Sequence, residues 1–203
     1  PKEAVQITKK AIANQQTPVA LGDYSDRPGD ATWILSELID EEVEKVLYAA
    51  LRDEFALEAL KSQNAQPGDL FSSKVGGITG EQAGPAVQID GEVLFFGPQW
   101  GYDHVAAIGF GNDNVLIITP TYEQIIRPES LRFGPINPDD FEVFVVKSRV
   151  HFRRGFDETG YAKTIQVVDA PGDWFGTIRI NALEYEFGPI DQLYPFNTET
   201  IDY

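Results

Sequence analysis

The chain has 203 residues, of which 42% are hydrophobic and 24% charged, enough to bury a core without disulfide or metal staples. A formal net charge of -16 excludes the broad basic surface that nucleic acid or an anionic membrane would require. There is no cysteine, hence no disulfide, thiolate zinc site or Cys nucleophile; a reducing, cytoplasmic setting is expected, and no apolar run reaches the roughly 18 residues of a membrane span.

Residues 1–16 read as a leading helix, with Ala4, Val5, Ile7 and Ile12 in loose helical spacing before Pro18. The chain starts at Pro1 and contains no Met, so this helix is expected to be the end of a missing N-terminal domain. "TPVALGD" then reads as a short apolar strand, "YSDRPGD" as a turn, and residues 31–39 as a helix. The same unit repeats at once: "KVLYAAL" is a strand, and Asp53 caps a helix "EFALEALKSQ" that ends before "NAQPGD". Strand, loop and helix in succession predict an α/β layer with parallel strands.

Between residues 69 and 119 the texture changes to short alternating runs split by Gly, Asn and Asp, which predicts a β-rich antiparallel insert. "GFGNDNVL" is a hairpin signal, and "GPQWGYD" reads as a loop. "GGITGEQAG" fits neither the dinucleotide nor the Walker spacing, and no helix follows it. "RPESLRFGPINPDD" predicts a short helix and a Pro-rich turn, "FEVFVVK" a strong strand, and "KTIQVVDAPGD" another strand. The aromatic, acidic tail 174–203 is expected to wrap the surface. The fold class is therefore α/β: a mixed sheet of strand–loop–helix units with a β-rich antiparallel insert, the main domain covering 17–173.

The chemistry concentrates in "VVKSRVHFRRGF". Lys147, Arg149, Arg153 and Arg154 are four of the chain's 16 Lys and Arg, and His151 is one of its two histidines. As one long strand this stretch would put Lys147, Arg149, His151 and Arg153 on one face. The preferred reading ends the strand at Lys147, makes Ser148 an N-cap and runs a helix from Arg149 to about Asp157, leading to a parallel "TIQVV" strand. Lys147 would then lie at a strand's carboxyl end with His151 in the next helical turn, in the crevice where open α/β sheets bind ligands. Simple salt bridges to the abundant carboxylates are the competing explanation for the arginines. Asp23 and Asp26 in "DYSDRPGD" could bind a hard cation, orient an imidazole or pair with Arg, or could equally form an Asx turn and helix cap. Asp169 has the same position and ambiguity. His104 has no second histidine nearby, and two histidines without cysteine cannot make a usual zinc set, so no metal ligands are expected here.

These residues resemble the C-terminal domain of the MlrC-like (microcystinase C) metallopeptidases. The Lys-Ser-x-x-His-Phe-Arg run is matched by Lys147, Ser148, His151, Phe152 and Arg153. "LRFGPINPDDFEVF" and "IQVVDAPG" flank it as in the family, "PVALGDYSDRPGD" is similar to the family's Asp-Asn-Pro-Gly loop, and "QPGDLFSSKVGG" to its Gly-Asp-containing strand. The likeness runs from about Thr17 to Asp173. Arg27 stands where the loop usually has Asn, and "DATW" replaces most of its later glycines.

The resemblance implies one part of a zinc hydrolase of peptide or amide bonds, with the zinc ligands in a preceding N-terminal domain. Lys147 and His151 are then the catalytic candidates, and Ser148, Arg153, Asp23 and Asp26 the substrate-binding ones. Expected partners are that domain and a small peptide or amide substrate, with neither nucleic acid nor membrane; the chain alone should be inactive. The alternative is a non-catalytic module that holds a carboxylate or docks a neighbouring domain.

Overall fold

The computed structural model describes residues 1–24 and 27–171. Eight strands form one mixed sheet in the order β3-β4-β5-β6-β2-β7-β1-β8. The parallel part comprises β1 (Val19–Asp23), β2 (Val46–Arg52), β7 (Val143–Val146) and β8 (Thr164–Val168). β1 lies between β7 and β8, and β2 pairs with β7 and, also in parallel, with β6 (Asn114–Thr119). The antiparallel part, β3 (Leu70–Val75), β4 (Val87–Gln99), β5 (Tyr102–Phe110) and β6, continues the same sheet.

Both faces are covered, so the central strands are buried almost throughout and mostly apolar, as parallel strands are when neither face meets water. Alternation sorts them. Val19, Leu21, Val143 and Val145 join one core with Val5, Leu35, Leu38, Leu57 and Leu60 from α1 (Lys2–Ala13), α2 (Trp33–Asp40) and α3 (Glu54–Ser62). Ala20, Phe144 and Val146 face a second core built from Phe152, Phe156 and the segment Ile125, Leu131, Phe133 and Phe141. Asp53 caps α3 as expected, accepting from the Ala56 amide at 2.9 Å.

Two expectations need correction. "GPQWGYD" is not a loop: β4 runs to Gln99 and β5 starts at Tyr102, with only Trp100 and Gly101 between them. Both have positive φ (53° and 84°), which a tight hairpin turn of this twist requires, and Pro98 is tolerated because the register shifts between Gly97 and Gln99.

The helix after β7 is also shorter than read. The strand ends at Val146, residues 149–152 form turns, and α4 is only Arg153–Phe156. Ser148 does not cap a helix starting at Arg149; its Oγ accepts from the Phe152 amide at 3.2 Å and closes the turn. That turn delivers the Phe152 ring onto β1. A Cβ on Gly22 would lie 2.4 Å from the ring and 2.9 Å from the Ser148 carbonyl oxygen, so only glycine permits the approach. The Thr164–Val168 strand is parallel, as expected, and docks beside β1.

Candidate functional site

Parallel strands end together, so β1, β7, β2 and β8 bring their following residues to one edge. Gly22 pairs with Val146 in the β1–β7 ladder, which sets the next residues, Asp23 and Lys147, side by side. Lys147 Nζ donates to Asp23 Oδ2 at 3.0 Å and to the Ala31 carbonyl at 2.6 Å, and it lies over the Tyr48 ring at 5.1 Å. The lysine side chain is 0% exposed and the Asp23 side chain 5%.

The Lys147 ammonium, expected to face a ligand, is thus buried and bonded to protein groups. It is solvated by protein, because the neighbouring strand presents a carboxylate at the matching register and Ala31 turns its carbonyl to it. A buried charge is tolerated only when paired in this way. Asp23 is likewise engaged as the internal partner of this pair. Tyr48 also donates to the Ala31 carbonyl, at 3.0 Å, so the loop is pinned to the sheet at one oxygen.

The loop after β7 is tied to the loop after β6. Tyr122 donates to the Lys147 carbonyl at 2.5 Å, and Gln124 Nε2 to Ser148 Oγ at 3.0 Å. Ser148, expected at the ligand, is buried and bonded to Gln124 and the Phe152 amide. His151 is different: it is exposed, and its Nδ1 stands 3.4 Å from Gln124 Oε1, too long for a firm bond. It occupies the turn before α4, not the first turn of a helix. Arg149 stacks on the Tyr24 ring at 4.8 Å and donates from Nε to the Tyr24 carbonyl at 2.7 Å. Arg153 is exposed and bonded to Asp157 at 2.7 Å, a surface pair one helical turn long. Asp26 lies outside the described residues, as does the tail 174–203.

The glycine-rich 76–84 segment also reaches this edge, and it is an anion cradle already filled by the protein. Asp30, fully buried, accepts from the Ile78 and Thr79 amides at 2.7 and 2.6 Å and from the Thr79 hydroxyl. Asp53 Oδ2 accepts from the Gly76 amide at 2.9 Å. Next to them Arg52 pairs with Glu54 at 2.7 Å. Burial pushes the Glu54 carboxyl up, but that bond and its own amide hold it below the usual range.

Sequence reasoning missed Tyr122, Gln124 and the second role of Asp53. The only signal for the first two was their position just past an apolar strand. His104 stands apart from these residues, stacked on Phe96 at 4.9 Å. Asp169 follows β8 at the same edge and is exposed but engaged. Among the described residues no group of three or more His, Asp and Glu could hold a metal ion, and no helix is long and apolar enough to cross a membrane.

The family model described as "MlrC C-terminus" matches residues 21–179. The chain belongs to this family. The match contains every strand of the sheet except the first two residues of β1, and all of the carboxyl-edge loops. No curated protein matches the chain. The crystal structure of a "putative metallopeptidase" from Mesorhizobium sp. BNC1 superposes with a TM-score of 0.62 at 15% identity, over 83% of this chain. At that identity the likeness is one of fold. The MlrC C-terminus chain spans 36% of the length of that relative.

Proposed function

We propose that this chain is the C-terminal domain of a longer zinc-dependent metallopeptidase or amide hydrolase, and that its carboxyl edge forms one wall of the substrate cleft. The observation that carries the reading is the position of His151: an exposed imidazole in an MlrC C-terminus chain, held at the strand edge where α/β sheets bind ligands. Beneath it the Asp23–Lys147 pair fastens the two loops that frame the edge.

In this reading His151 touches the substrate and can donate a hydrogen bond to the oxygen that gains charge as the carbonyl is attacked. Lys147, Asp23 and Ser148 are positioning residues, acting through the loops they hold. Arg153 can reach a substrate carboxylate by giving up its exposed bond to Asp157. Bound zinc would supply an activated water and a polarised carbonyl. The described residues do not fit it, since they offer no ligand cluster and Asp23 is committed to Lys147. In this reading the zinc belongs to a neighbouring N-terminal domain of the longer protein.

The burial of Lys147 favours one rival, a non-catalytic module whose edge docks another domain or holds a carboxylate. Metal analysis and peptide hydrolysis, run side by side on this chain and on the longer protein, separate the two. The proposal expects stoichiometric zinc and hydrolysis only in the longer protein. A longer protein free of zinc and inert toward peptide and amide bonds would leave the docking module.

A further inference from the structure

The basic groups of the carboxyl edge are unequally committed. Lys147 is consumed by Asp23 and Ala31, and Arg153 is paired with Asp157. Arg149 is held firmly but incompletely. Its guanidinium is stacked on Tyr24 and fixed through Nε, while Nη2 is buried and has no acceptor. The residue as a whole stays partly exposed, although Nη2 itself is buried.

A charged donor left without an acceptor is unfavourable, and such a group calls for an explanation beyond packing. Stacking and the Nε bond remove most of the rotamer freedom that a ligand would otherwise have to freeze, which is how a binding arginine is pre-organised. Two parallel N–H groups in one plane match the two oxygens of a carboxylate. In a chain of net charge -16, a ligand anion finds little other attraction.

We propose that Arg149 is a specificity-determining residue of this edge and recognises a carboxylate of the substrate. The inference rests on the cleft reading above and adds a substrate class to it: peptides or amides that carry a free carboxylate near the bond to be opened. Sequence spacing alone pointed to Lys147 for this task; the geometry moves it two residues along.

The test is nuclear magnetic resonance on the ¹⁵N-labelled chain, following the Arg149 Nε–H signal, assigned by its loss in Arg149→Lys. The probes are acetyl-dialanine, its C-terminal amide and inorganic phosphate. The expected result is a saturable shift with the free acid and binding at least about tenfold weaker for the amide and for phosphate. Arg149→Lys, with an otherwise unchanged spectrum, should weaken binding of the acid by about tenfold, read on the backbone amides of residues 147–152. No shift, an equal response to the amide or phosphate, or undiminished binding by Arg149→Lys would each overturn the proposal.

A second arm uses the longer protein, where Arg149→Lys should raise KM for free-acid peptides and leave amidated ones unchanged. Hydrolysis with unaltered KM sinks the role of Arg149 alone. Selective binding by the chain, with a longer protein that neither binds zinc nor hydrolyses, sinks the hydrolase reading alone.

Discussion

Lys147 and Asp23, 124 positions apart in the chain, meet as an ion pair 3.0 Å long in the interior. The pair bonds the end of β7 to the end of β1, and the Ala31 carbonyl brings the intervening loop under the same ammonium. Its geometry makes it a fastening beneath the site.

Removing one partner of such a pair leaves a bare charge in a low-dielectric setting. Lys147→Ala should therefore lower stability by roughly 3–5 kcal/mol, whereas His151→Ala, at an exposed position, should stay within about 0.5 kcal/mol of the parent. Urea unfolding of the two variants checks this. Equal, small effects would mean that Lys147 is not a fastening.

Gly22 carries the approach of the Phe152 ring to β1. Gly22→Ala should destabilise by roughly 1–3 kcal/mol through overpacking. Adding Phe152→Leu, which vacates the space a Cβ would need, should recover part of that loss. Thermal unfolding of the single and double variants reads the coupling, and strict additivity would contradict the contact.

Tyr161 packs edge-on to Phe144 and Phe156 with centroids 5.6 and 5.9 Å away. Burial disfavours its phenolate and, with Asp139 and Glu129 acting the same way, pushes its pKa up to about 12. The unfolded chain ionises near pH 10, so it releases this proton first. The contribution is complete below about pH 10 and is lost as pH rises toward 12. Tyr161→Phe should unfold with a shallower loss of stability across that window, seen in denaturation midpoints at about pH 9 and about pH 11. Identical slopes would place the phenol in water.

Local order was legible where one short segment decides it. Asp53 reads as a cap because a helical pattern follows it directly, and "GFGNDNVL" as a hairpin because its turn residues are contiguous. The carboxyl-edge position of Lys147 followed from "FEVFVVK" alone. Its burial did not, because the partner carboxylate is supplied by strand order, which places β1 beside β7. Ser148 looked like a cap for the same reason: a local pattern cannot reveal that Gly22 leaves room for Phe152 to fold inward and shorten the helix. The glycine segment was set aside on spacing, and the buried Asp30 that fills it lies 48 residues away from Ile78.

The central claim is that the exposed imidazole at this edge faces the substrate of a longer zinc hydrolase. Turnover of the longer protein carrying His151→Ala, compared with the parent, tests it most directly. The account predicts unchanged zinc content and unfolding temperature with kcat/KM down by about a hundredfold. Undiminished kcat/KM in a folded, zinc-loaded variant would contradict it.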